Sequence, residues 1–255
     1  MIKNYILLLF VLGCLTLKAQ NKTQAYQGSE WLKYRIHYGL LNAGYAELEL
    51  EDSSKSSKEF HVVGKGKTTG MVSVFFKVKD QYESYFSKES QHPRYAIRRV
   101  DEGGYIINRD LYFEQGMAIT QDFKKNTIDT VAAVDVYDLL SAFYKLRNQD
   151  FSKVSDGEEI DLKLFFDREV FSFKLKVLGR EVMRTKFGKV KAIKLRPLVQ
   201  SGRVFKEQES LTLWISDDQN KIPLRIKAEL AVGSLKADLD AYKGLNNAFN
   251  IIVNN

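Results

Sequence analysis

Period-two alternation of apolar and polar residues runs through most of this chain and restricts it to sheets more than any other feature does. In Trp31–Tyr38, Leu32, Tyr34, Ile36 and Tyr38 share one face, while Trp31, Lys33, Arg35 and His37 share the other. Ala46, Leu48 and Leu50 oppose Glu47, Glu49 and Glu51 in the same way. Leu224–Ala231 and Leu235–Tyr242 alternate almost without a break. A strand turns successive side chains to opposite faces, so each segment predicts an antiparallel strand with one wet face. Further strands are predicted over 60–67, 79–86, 95–101, 105–113, 117–123, 159–166, 171–177, 180–185, 189–196 and 207–215, about twelve or thirteen in all. Gly103-Gly104, Gln115-Gly116, Asp167-Arg168 and Gly233-Ser234 supply turns between them. A βαβ rhythm is missing, which argues against a doubly wound parallel sheet.

Asp135–Arg147 breaks the alternation. Val136, Leu139, Leu140, Phe143 and Leu146 fall at the i, i+3, i+4, i+7 spacing of a buried helix stripe, with Asp135 as candidate N-cap and Arg147 in the last turn. Thr68–Val78 fits a short helix through Met71, Val74, Phe75 and Val78, although its β-branched residues also suit a strand. Lys124–Val134 reads as an irregular connection. The fold class predicted is mainly β: a curved antiparallel sheet or partly open β-barrel, with a central helix packed on its apolar side. Residues 20–245 form a single β-rich domain, or two sheet lobes joined through the helix at 135–148, and 246–255 form a loose tail.

The first residues read as an address. Met1–Asn4 is a short basic segment and Tyr5–Leu17 is apolar and uncharged, with Ala19 before a candidate cut, so 1–19 is expected to be a secretory signal peptide. The apolar run falls short of the roughly 20 residues that span a bilayer, and no other segment approaches that length. Export to the periplasm is expected. Cys14, the one cysteine, sits in Val11-Leu-Gly-Cys14, a lipobox-like setting that leaves lipid anchoring through Cys14 as the alternative. Without it the exported chain has no thiol for a disulfide, a nucleophile or a metal.

The net charge is +7; losing Lys3 and Lys18 subtracts two and leaves +5. Both signs are interspersed along the chain, unlike the clustered basic stripe of nucleic-acid binding, so no nucleic-acid partner is expected. Gly64-Lys-Gly-Lys-Thr-Thr-Gly70 fails as a phosphate loop on spacing and is read as a strand end. His37, His61 and His92 lack metal-ligand spacing, and Gly-x-Ser-x-Gly is missing. No catalytic residue, metal or cofactor is expected. Arg109 is the unusual residue, since it shares a strand face with Ile107, Leu111 and Phe113; Arg99 likewise follows Tyr95 and Ile97. Such an arginine needs a carboxylate, the rim or an anionic ligand. Arg99 and Arg109, with Phe143 and Tyr144 as aromatic lining, are the candidate ligand-binding residues.

Gly28-Ser-Glu-Trp-Leu-Lys-Tyr-Arg-Ile-His-Tyr-Gly39 with Asn42-Ala-Gly44, then Phe76–Tyr85, then Asp138–Arg147 resemble patches of the exported bacterial family catalogued as domain of unknown function 3108. The resemblance spans nearly the whole exported chain and implies a Gram-negative envelope protein, with Ala19-Gln20 similar to Bacteroidetes signal ends. It implies no reaction. Three functions are weighed: a non-enzymatic binder or carrier of a lipid or other apolar or amphipathic ligand, a structural partner of envelope proteins, and a hydrolase of an envelope polymer. The sequence leaves the oligomeric state open.

Overall fold

The computed structural model describes residues 24–198, 211–230 and 232–253; the expected signal peptide and Cys14 lie outside them. Fifteen strands form one antiparallel sheet: β1 (Glu30–Tyr38), β2 (Leu41–Asp52), β3 (Glu59–Thr68), β4 (Lys79–Ser87), β5 (Pro93–Glu102), β6 (Tyr105–Glu114), β7 (Met117–Asp122), β8 (Thr127–Ala132), β9 (Glu159–Phe166), β10 (Glu169–Thr185), β11 (Gly188–Leu198), β12 (Leu211–Ser216), β13 (Pro223–Glu229), β14 (Ser234–Lys243) and β15 (Ile251–Ile252). Among the described residues, two α-helices interrupt them, α1 (Gly70–Phe75) and α2 (Leu139–Arg147), with one short 3-10 turn at Phe151–Lys153.

The spatial order is β8-β7-β6-β5-β4-β3-β2-β1-β14-β13-β12-β11-β10-β9, with β15 on β11. Each half is therefore a meander, and one seam, β1 against β14, joins them. The sheet curls around α2. Leu140, Phe143 and Tyr144 pack against Leu50, Phe60, Val62 and Phe86 of the first half. Phe143 also meets the cluster of Leu32, Tyr34, Leu224 and Leu239, and Leu146 meets Leu175, Val177, Ile193 and Leu195 of the second half. Each large side chain so buried contributes about 1.5–3 kcal/mol.

The curl stops short of closure. The edge strands β8 and β9 do not pair with each other; the chain between β8 and α2 bridges them. Ala133 N donates to Gly116 O (2.7 Å), Tyr137 N donates to Lys163 O (2.9 Å), and Phe165 N donates to Tyr137 O (2.9 Å). This bridge corrects the predicted helix start. The backbone of Tyr137 bridges to Leu164 on the β9 edge, which keeps this stretch out of the helix, and α2 begins at Leu139. Asp138, not Asp135, is the N-cap: its carboxylate accepts from Leu140 N (2.8 Å), Ser141 N (3.2 Å) and Ser84 Oγ (2.6 Å). Burial raises the Asp138 pKa, although those hydrogen bonds oppose it. Asp135 instead lies 2.8 Å from His92 Nε2. The buried side of Asp135–Arg147 is wider than the expected stripe: Val136, Leu140, Phe143 and Leu146 pack against the core, Leu139 is exposed, and Ser141, Ala142, Tyr144 and Arg147 are buried as well.

At the other end of α2, Arg147 forms a bidentate pair with Glu30 and donates to Asn220 O (3.1 Å) and Ala25 O (3.4 Å). Three further elements depart from expectation. β8 occupies part of the stretch read as irregular; it is an edge strand with both faces largely wet, so it carries no alternating pattern. Residues 171–185 are one strand bent by a bulge at Val177–Gly179, not two. The tail is anchored, with Phe249 against Phe187 and Tyr242, and Ile251 paired with Val190.

Candidate functional site

Directly paired residues of an antiparallel ladder share a face. The register Arg98↔Arg109↔Asp122 therefore puts these three on the concave face, beside Ala96, Leu111 and Thr120. Two arginines opposite each other repel, and the carboxylates of Asp122 and Asp167 offset that. Arg109 Nε donates to Asp122 Oδ2 (2.9 Å). The β9–β10 turn reaches across the open edge: Asp167 pairs with Arg98 and accepts from Arg109 Nη1 (3.1 Å), while Arg168 Nη2 donates to Asp122 Oδ2 (2.8 Å). Arg168 Nε lies 3.2 Å from Asp129 on β8. Backbone N–H groups of Lys124 and Lys125 donate to Asp122 Oδ1. Burial alone would raise the Asp122 pKa; Arg109 and the Lys125 N–H overcome it and hold the carboxyl below its ordinary value.

This cluster fastens the second half of the sheet to the first without a strand ladder. It also holds a costly turn, because Asp167 (φ 48°) and Arg168 (φ 69°) both occupy the left-handed region. A two-residue hairpin needs that geometry, and arginine adopts it at a steric cost. Asp167 is the accessible member of the cluster, with half its side chain exposed.

Beneath the cluster lies an apolar slot of about 40 Å³, lined among others by Ala96, Leu111, Leu140, Phe165 and Phe166. One polar atom lining it, Thr120 Oγ1, is buried with no hydrogen-bond partner among the described residues. A space of this size holds on the order of one to three waters. A second slot of about 40 Å³ lies beside Phe143 and Leu146.

Of the residues singled out from the sequence, Arg109 stands in this cluster and the other three do not. Arg99 is on the outer face, donating to Arg109 O and Asp110 Oδ1 (both 2.5 Å). It borders an open hollow of about 390 Å³ with Tyr45, Lys65, Lys67 and Lys79. Phe143 packs between core clusters, and Tyr144 is fully buried with its hydroxyl donating to Glu30 (3.4 Å). Arg98, Asp122, Asp167 and Arg168 escaped the sequence reading. Arg98 had a signal, since it alternates with Ala96 and Val100. The histidines stand apart, each beside one carboxylate: Asp238, Glu83 and Asp135 respectively.

Comparison with solved structures places the fold. The β-barrel-like protein of domain of unknown function DUF1849 from Brucella abortus superposes with a TM-score of 0.56 at 9% identity, covering 85% of this chain and 98% of that one. A protein from Bacteroides fragilis, described as a candidate exported protein with a YmcC-like fold, gives 0.38 at 10% identity, covering 87% and 98%. Comparison with curated proteins gives no match. The model of the family described as protein of unknown function DUF3108 matches residues 33–240, and the chain belongs to that family.

Proposed function

We propose that this protein is a non-enzymatic binder of an anionic amphipath, an acyl chain with a carboxylate or phosphate head, at the cleft under the Asp167 turn. One observation carries the reading: Arg98 and Arg109 stand on an apolar concave face and share one half-exposed carboxylate, Asp167. An incoming anionic head that replaces Asp167 on those guanidiniums frees the hairpin. The chain behind the head then enters among Ala96, Leu111, Leu140 and Phe166, and Thr120 Oγ1 gains a partner. In this reading the protein works outside the cytoplasm, as its amino-terminal sequence suggests.

A structural role in the envelope is the second reading. The filled interior favours it, since the slots on both sides of α2 are of water size. Titration with the anionic probe 1-anilinonaphthalene-8-sulfonate, followed by competition with oleate, separates the two. The binding reading expects saturable fluorescence displaced by oleate, weakened about tenfold by Arg109→Gln and strengthened by Asp167→Asn. A signal that is absent, or indifferent to both substitutions, leaves the structural role.

A further inference from the structure

The two ends of the curled sheet differ in chemistry. At one end the connections are polar: Ser53-Ser-Lys-Ser-Ser-Lys58, Lys88-Glu-Ser-Gln-His92 and Asp217-Asp-Gln-Asn-Lys221. Among the described residues, the exposed apolar side chains near that end are scattered: Val134 in the bridge, Val182 on β10, and Ile251 and Val253 at the carboxy-terminal strand. At the opposite end, four neighbouring connections present large apolar side chains to solvent. The β13–β14 turn offers Val232, the β1–β2 turn Leu40, α1 offers Met71, Val74 and Phe75, and β6 starts with Tyr105.

These connections form one continuous arc. Tyr38 Oη donates to Val232 O (2.9 Å), Thr69 N to Ala43 O (3.0 Å), and Gly103 N to Lys77 O (2.8 Å). α1 is its most prominent part. The sequence predicted a helix here with an apolar stripe, and a stripe is expected to pack; yet none of its residues is buried, and Val74 and Phe75 are 80% and 83% exposed. A contiguous apolar surface of this kind marks a contact site.

Charge selects the partner. From residue 65 to 79 the chain carries Lys65, Lys67, Lys77 and Lys79, all exposed, and no acidic residue. Three of these lysines, with Tyr45 and Arg99, line the hollow of about 390 Å³ immediately behind the arc; Glu47 and Asp80 also border it. Apolar turn tips backed by a cationic belt suit a bilayer interface, where tips enter the headgroup region and lysines meet phosphates. A second copy of the chain fits poorly, because a two-fold contact through this arc sets the same lysines against each other.

We infer that the arc formed by α1 and its neighbouring turns docks the protein on an anionic phospholipid surface, with a lipid phosphate seated among Lys65, Lys67, Lys79 and Arg99. Docking needs no ligand in the cleft, and a protein that binds vesicles but not the anionic probe satisfies it.

Co-sedimentation with phosphatidylcholine vesicles, with and without phosphatidylglycerol, tests it. The purified protein is expected to pellet with the phosphatidylglycerol vesicles and to be released as salt rises. Met71→Ser/Val74→Ser/Phe75→Ser is expected to weaken partition at least about tenfold, and so is Lys65→Gln/Lys67→Gln/Lys77→Gln/Lys79→Gln. Thermal melting should be unchanged in both, since these side chains are exposed. Equal sedimentation with both vesicle types, no sedimentation, or wild-type partition of either variant overturns the inference. So does light scattering that shows a dimer converted to monomer by the serine variant, which assigns the arc to self-association.

Discussion

Glu30 and Arg147, 117 residues apart in sequence, meet as a bidentate ion pair sealed from solvent, with Nη1–Oε1 at 2.5 Å and Nη2–Oε2 at 2.7 Å. Burial alone would lower the arginine pKa, and the Glu30 charge more than reverses that. Arg147→Met should destabilise the protein by about 3–5 kcal/mol, because it strands a buried carboxylate. Glu30→Met/Arg147→Met should recover most of the loss. Urea denaturation measures both; a double variant as weak as the single one would show that packing, not charge, was lost.

Asp80 stands near the start of β4, and burial pushes its pKa up to about 6, with the Glu102 charge adding and the Asp101 N–H and Arg98 opposing. The folded state thus holds this proton more tightly than the unfolded chain does. The stabilisation is complete below about pH 4, near the unfolded carboxyl value, and is lost as pH rises through about 6. Melting temperature should fall across that window, and Asp80→Asn should flatten the fall. Asp238 has the opposite sign. Burial opposes its ionisation, but Arg225 and His37 depress its pKa, so its contribution disappears at low pH.

Gly44 and Gly66 lie on β2 and β3 and differ in what surrounds them. A Cβ on Gly44 would come 2.3 Å from Lys67 O, a ladder carbonyl, whereas one on Gly66 meets nothing within 4 Å. Gly44→Ala should cost about 1–3 kcal/mol. Gly66→Ala should be neutral or gain about 0.5 kcal/mol by restricting the unfolded chain. Parallel denaturation curves decide it, and equal losses would refute the register drawn for this hairpin.

The Asp138 carboxylate supports two backbone N–H groups of α2 and the Ser84 hydroxyl of β4. Asp138→Ala should lower stability by about 1–2 kcal/mol, and Asp138→Asn by less, since an amide oxygen still accepts. Hydrogen exchange at Leu140 and Ser141 should rise in the alanine variant; unaltered exchange would assign the helix start to another contact.

Alternation made the sheet legible because burial on one face writes itself into every second residue, as in Leu32 and Tyr34. It fails where both faces are wet, as at Ile128 in β8, and where both are mixed. Ala96-Arg98-Val100 and Tyr95-Ile97-Arg99 are equally apolar, so sequence cannot say which arginine looks inward. The partners of Arg109 were illegible for another reason. Asp122 is its ladder neighbour, but Asp167 arrives from a turn 58 residues away, brought there only by the curl. Tyr144 likewise has a helical position that fits lining as well as core. Its packing on Tyr26 and Phe86, far off in the chain, decides for core.

The β1–β14 seam sets Trp31 opposite Lys243, the most widely separated partners along the strand path. All other ladders on that path except this one join consecutive strands, so they close short loops while the seam closes nearly the whole chain. Yet Asn246 and Asn247 both donate to Gln24 O, at 2.8 and 3.1 Å, so the segments that flank β1 and β14 already touch. A short linker between them, with a new opening cut in the polar Ser53–Lys58 turn, would rewire the molecule as a circular permutant. Its longest-range ladder would become a local hairpin, and refolding should quicken with the order from β8 to β9 unchanged.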